Sequence, residues 1–415
     1  MKEEYLKYFT PNRIIYYLAY FLCFSIALPH TIFPGKAGLI SFLLFTLWIF
    51  EGNLKEKIQT LYNNKLFLSI LGFILLLSLS MLWTKYSNIG LVRLSAFKYY
   101  LFLIPVLITS VTKKDALKLI RAFVLGNIFH AFLMILLYYD IINLSQKITL
   151  YSPYSVYAPF FVFASFYCIH YFIHHLTNKN IIWGIFYLFC SLMLIYLIFT
   201  NKGRSGQLAF ISTAIFTLFI FRKNWIKTIS FATITVVLIV TISLSSNTNK
   251  STYVSAINNI KQVFNDKYQG SWGSRWGLLV TNYEIIKEAP ILGVGLGDTQ
   301  DEMQRVIERG KNQASYAIAY YDGSHNHYIT ILTSAGIIGF ILYILIHIRI
   351  FKLPIKHTEM KHLSLIFLTI LIVTSIADDI LFYKPYNIYF AIMTALFINL
   401  SLNEKRKSPY IDSQK

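Results

Sequence analysis

The sequence predicts an all-α polytopic membrane protein, with about twelve transmembrane helices and one large, partly helical periplasmic loop. Two observations carry this. Of the 415 residues, 56% are hydrophobic and only 14% are charged, where a soluble domain holds about 25% charged residues. The apolar residues also gather in runs of about 20, the length that crosses a bilayer. A mean hydropathy of +0.54 agrees. Soluble enzymes, disordered scaffolds and fibrous proteins are excluded on this composition.

Twelve runs can be read along the chain, near 13–32, 36–50, 66–84, 97–112, 115–139, 153–174, 180–200, 204–221, 226–246, 326–349, 361–382 and 386–402. The first is expected to remain as a membrane helix, because no small-residue cleavage site follows it. The formal charge of +19 falls between the runs, so it is read as topology, and no nucleic-acid partner is expected. With both termini cytoplasmic, the inner pieces carry 21 Lys and Arg and the short outer pieces carry 8. That is the positive-inside bias. The domains are then 1–246 for spans one to nine, 247–325 for the loop, 326–402 for the last three spans and 403–415 for a cytoplasmic tail.

The loop carries eight acids and eight bases, and long loops translocate regardless of charge. Two helices are expected in it. One, over 275–288, has an apolar stripe of Trp276, Leu279, Val280, Tyr283 and Ile286 and ends before Pro290. The other, over 299–310, follows Asp298 as N-cap and stops at Gly310. Cys23, Cys168 and Cys190 lie inside apolar runs, so neither a structural disulfide nor a cysteine metal site is expected.

Few residues carry chemistry. Lys202 and Arg204 stand in a glycine-bearing turn at the outer end of span seven, against the charge trend. They suit either a snorkelling interfacial anchor or an anion site, where guanidinium grips phosphate bidentately. Arg275 opens the first loop helix, where a helix N-terminus favours anions; pairing with Glu284 is the plainer alternative. Ser324-His325-Asn326-His327 marks the return to the membrane, and a histidine there can take a hydroxyl proton. No carboxylate or cysteine cluster accompanies it, so a metal site is not expected. His130, His170, His174, His175 and His347 suit hydrogen-bonded structural roles. Gly293-x-Gly295-x-Gly297 lacks a dinucleotide frame and reads as a flexible turn. Asp378 and Asp379 end span eleven, either paired with Lys384 or orienting a base.

On these residues the chain resembles the O-antigen ligase family, within a larger group that includes O-antigen polymerases. The motifs are His325-Asn326, nine residues, then Gly336-Ile337-Ile338-Gly339; Arg204 after span seven; Arg275 in the large loop; and Asp378 with Lys384 near the end of span eleven. The resemblance implies a bacterial inner-membrane glycosyltransferase with its site facing the periplasm. It would be inverting and need no metal or cofactor. The donor would be polysaccharide on undecaprenyl pyrophosphate and the acceptor a lipid A–core hydroxyl. His325 would be the base; Arg204, Arg275, Asn326, Lys202, Asp378 and Lys384 would bind substrate; Gly336 and Gly339 would be structural. A polymerase and, outside the enzymes, a lipid-linked sugar transporter are the alternatives.

Overall fold

The computed structural model describes residues 10–28, 36–139, 141, 154–200, 204–220, 258, 261, 270–310 and 323–402. Regular structure among these residues is helical, and no strand occurs. In chain order the helices are α1 Pro11–Ser25, α2 Lys36–Phe50, α3 Leu54–Tyr62, α4 Lys65–Leu79, α5 Ser87–Ser95, α6 Lys98–Thr109, α7 Lys113–Tyr138 and α8 Tyr154–Thr177. Then come α9 Ile181–Thr200, α10 Arg204–Ile220, α11 Gly270–Glu288, α12 Thr299–Glu308, α13 His327–Phe351, α14 Thr358–Ala377 and α15 Lys384–Ser401. Helices occupy eleven of the twelve expected runs. The ninth, 226–246, lies outside the described residues, as do Lys202, 247–257, 262–269, 311–322 and the tail 403–415.

Among the described residues seven helical stretches are long and apolar enough to cross a membrane, or up to eight if a bent pair counts as one. The bent pair is α2 with α3, turned by 116°. The turn places Asn53 in the left-handed region, at φ 54. There Lys57 binds Glu51 at 2.8 Å, both nearly buried, and donates to the Trp48 carbonyl. The span expected at 97–112 starts earlier, because α5 and α6 join into one apolar stretch over Ser87–Thr109.

Side chains that compete with the backbone elsewhere here serve as helix caps. Asn64 accepts from the Phe67 N–H, Thr112 from Asp115 and Asn326 from Ile329. Aromatic rings fill the centre: Phe123 stacks on Tyr389, which also meets Phe160 and Phe367. Several polar groups inside find partners, while others, such as the Tyr389 hydroxyl, have none among the described residues. Tyr100 donates to Asn387 at 2.6 Å, and the Asn399 amide donates to the Leu107 and Ile108 carbonyls of α6 and to the Val111 carbonyl just beyond it. His130 bonds the Ala27 carbonyl and His347 the Tyr343 carbonyl, while His170 and His174 face Glu359. His175 stacks on Tyr187. All three cysteines are free and buried.

Contacts set the directions of three helices. His170 and His174, late in α8, meet Glu359, early in α14. Gly206, early in α10, abuts Ala158, early in α8. So α8 and α10 run one way and α14 the other. Arg204 therefore stands at the same end of the bundle as Asp378.

Candidate active site

His325 sits in the two-residue approach to α13, with its backbone at φ 48. That region costs a side-chain-bearing residue about 1–3 kcal/mol and persists only where the surroundings enforce it. Asp379 enforces it. Its Oδ2 accepts the His325 N–H at 2.9 Å, and its Oδ1 accepts the Thr330 hydroxyl. Bonds to a charged group contribute about 1.5–3 kcal/mol each, enough to offset the strain. Asp379 is buried, and burial pushes its carboxyl above the usual carboxylate range, against the two bonds that pull it back. A Cβ at Gly323 would run into the same carboxylate.

Asp378 acts on the ring instead. Its Oδ1 lies 3.3 Å from His325 Nδ1 and accepts the Asp379 N–H at 2.9 Å. The hydrogen bond with Asp378 raises the imidazole's pKa above the ordinary histidine value. Partial burial opposes it, the charges of Asp378 and Asp379 add to it, and Arg275 lowers it. That last effect brings Arg275 electrostatically into the site. Of the two readings of these carboxylates, orienting a base and pairing with Lys384, the second is not what forms. Lys384 is exposed at the start of α15, and among the described residues no ion pair joins it to either Asp.

Arg275 also differs from expectation in two ways. It lies in the second turn of α11, because the helix begins at Gly270 and not at residue 275. Glu284, the alternative partner, binds Lys287 at 2.7 Å instead, one turn away on the same face. Trp276, Leu279 and Tyr283 are exposed, and α11 buries Leu278, Thr281, Asn282 and Ile285. The buried face mixes Leu278 and Ile285 with Thr281 and Asn282, so apolar periodicity alone does not mark it. The buried face carries a tie that the sequence reading missed: Asn282 Oδ1 accepts from Thr333 at 3.0 Å and from Ser324 at 3.5 Å. One amide thus links the Arg275 helix to α13 and to the residue before His325.

Gly336 has φ 62 and ψ −165 inside α13, where the helix breaks. A break orphans backbone donors and acceptors. The segment after α11 takes all four. Val294 N–H donates to Thr333 O at 2.9 Å and Gly295 N–H to Ser334 O at 3.1 Å. Ile337 N–H donates to Pro290 O at 2.9 Å and Ile338 N–H to Ile291 O at 3.5 Å. Glycine is required at 336 because Ile291 backbone occupies the place of a Cβ, and at 293 because Ser334 and Ala335 backbone does. The expected flexible turn is therefore a close-packed strap. Gly297 lies against the Tyr86 carbonyl. Asp298 does not cap α12 with its side chain; its carboxylate accepts the Lys85 and Tyr86 N–H groups at 2.9 and 3.0 Å. Gly339 presses on Ala335 of its own helix.

The two histidines of His325-Asn326-His327 part company. His327 is buried against Tyr343 and Phe382, while His325 faces Asp378. Asn326 caps α13 through its side-chain oxygen. Arg204 opens α10, half-buried, at the Asp378 end. Lys202 lies outside the described residues. Among the described residues no group of three or more His, Cys, Asp or Glu could hold a metal ion.

The arrangement is a histidine whose Nδ1 faces a carboxylate, within the field of an arginine, at one end of a helical bundle. It suits proton abstraction next to a bound anion. Residues 188–344 match the family model described as O-antigen ligase, a stretch that holds Arg204, Arg275, His325, Gly336 and Gly339. No curated protein matches the chain.

Proposed function

We propose, from the premise that the chain belongs to the O-antigen ligase family, that it transfers polysaccharide from undecaprenyl pyrophosphate to a sugar hydroxyl of lipid A–core. The family makes it a glycosyltransferase-type membrane enzyme. The observation that carries the finer reading is His325, held by Asp379 through its backbone and by Asp378 through Nδ1, within the field of Arg275.

With Nδ1 engaged by Asp378, the proton exchange falls to Nε2. The acceptor oxygen attacks the anomeric carbon from the face opposite the diphosphate. The new glycosidic C–O bond forms as the C–O bond to phosphate breaks, so the configuration inverts. The hydroxyl proton passes to Nε2, and undecaprenyl pyrophosphate departs with the bonding electron pair. Arg275 and Arg204 meet the charge that develops on it. Guanidinium offers a planar fork to phosphate oxygens, and each ~1.4 kcal/mol gained in the transition state is tenfold in rate. In this mechanism two cations take the part that a divalent ion plays in other diphosphate chemistry. The site would face the periplasm from the inner membrane, both termini would be cytoplasmic, and 247–325 would be the periplasmic loop.

The test uses purified protein in nanodiscs with undecaprenyl-pyrophosphate glycan and lipid A–core. Joined product from the native chain, absent with His325→Ala, is expected. Longer lipid-linked chains from donor alone would assign the chain to the polymerases. Joined product from His325→Ala would remove the base assignment. Activity lost to EDTA and restored by a divalent ion would remove the metal-free mechanism.

A further inference from the structure

The exposed face of α11 is a regular apolar stripe. Trp272, Trp276, Leu279 and Tyr283 follow one another at helical spacing and are 44%, 47%, 41% and 57% exposed. Ile291 and Leu292 extend it at 61% and 45%. Beyond them come Ile337, Ile338 and Ile341 of α13, also exposed. Those three lie on a helix long and apolar enough to cross a membrane, where outward apolar residues meet acyl chains. The stripe and that surface are continuous, because Ile337 and Ile338 bond the Pro290 and Ile291 carbonyls.

Depth can be counted. The 25 residues of α13 span roughly 37 Å at about 1.5 Å per residue, against a hydrocarbon thickness of about 30 Å. The break at Gly336 lies nine residues in, or roughly 13 Å. Even with the whole excess of about 7 Å projecting on the His325 side, the break sits about 6 Å inside the hydrocarbon. Non-helical backbone is tolerated there only where protein satisfies its polar groups. The four reciprocal bonds between strap and break meet that requirement.

We propose that α11 and the Pro290–Leu292 turn are a membrane-dipping element. The stripe from Trp272 to Leu292 rests on phospholipid of the leaflet on the His325 side. Tryptophan and tyrosine favour that interface, and Lys287, seated over the Tyr283 ring, marks its wet edge. The inference stands whichever glycan the chain handles. Arg275 lies on the border between the stripe and the buried face of α11, so a lipid on the stripe presents its headgroup to Arg275. That consequence alone rests on the proposed transferase reading.

The test uses full-length chain in vesicles of phosphatidylethanolamine and phosphatidylglycerol, spin-labelled through Leu279→Cys, Tyr283→Cys or Ile291→Cys. The native cysteines are buried, and the unsubstituted chain gives the background. Gln304→Cys on exposed α12 is the wet reference. Labels at 279, 283 and 291 should relax with oxygen far more than with a soluble nickel chelate, and 304 the reverse. Nickel relaxation at 279 and 291 equal to that at 304 would overturn the proposal. Protection from both agents, with dipolar broadening between labels, would assign the face to a second copy and overturn it equally.

Discussion

Asp379 grips the backbone N–H of His325 at 2.9 Å, while its neighbour Asp378 holds the ring. Two adjacent carboxylates at the end of α14 thus divide the control of one side chain. Asp379 fixes where the histidine is, and Asp378 fixes which way its ring points. Both come from outside the stretch that matches the family model.

Asp378→Asn removes the charge that raises His325. The imidazole must be neutral to accept a proton, so a raised pKa holds the acid limb of the pH–rate profile at higher pH. The variant should therefore move that limb to lower pH. The rate at its plateau should fall roughly tenfold to a hundredfold, as when a histidine loses its orienting carboxylate. A pH profile of kcat checks both; an unmoved limb sinks the assignment of His325 as the titrating base.

Arg275→Ala should shift the same limb the opposite way. Its positive charge lowers the His325 pKa, so its loss lets the ring keep its proton to higher pH. The rate should drop by about 10²–10³, as when one preorganised donor is lost from a developing anion. Arg275→Lys should restore the limb and only part of the rate, because an ammonium lacks the bidentate fork.

Asp379→Ala removes the acceptor of the His325 N–H, while the Thr330 hydroxyl keeps the Asn326 carbonyl and Ser324 as partners. Losing the acceptor of such a donor costs about 1–3 kcal/mol. Thermal unfolding in detergent should show the loss, and an unchanged transition would mean that the left-handed turn is held by something else.

Gly336→Ala meets strain and backbone together: φ 62 costs about 1–3 kcal/mol, and the overlap with Ile291 backbone adds about 1–3 more. Gly72→Ala is the control, since nothing lies within 4 Å of its added carbon; it should be neutral or gain up to about 1 kcal/mol from helix propensity. Equal stability of the two variants, compared by thermal unfolding, would contradict the strap.

Much of this was legible in the sequence because it is local. Run length marks helices, and the spacing from His325 to Gly336 and Gly339 survives intact in the structure. What stayed hidden depends on distant or symmetric features. Asp298 reads as an N-cap until Lys85 and Tyr86, more than two hundred positions away, claim its carboxylate. Three alternating glycines read as slack until neighbouring backbone and the Thr84 side chain fill the space beside them. Asp378 and Asp379 are the same residue type at consecutive positions, so nothing local separates the ring's partner from the backbone's. The stripe on α11 was legible, but which side of the helix packs was not, because Leu278 and Ile285 share the packed side with Thr281 and Asn282.

The break at Gly336 has a mechanical consequence. An unbroken helix from His327 to Phe351 would behave as one rod, and a thicker or thinner bilayer would move its ends together. Here the turns before Gly336 are stitched sideways to the strap through Thr333 and Ser334, and the turns after it form the longer apolar part. Hydrophobic mismatch can then be absorbed by tilting beyond Gly336, with the ties of Asn282 to Ser324 and Thr333 left in place.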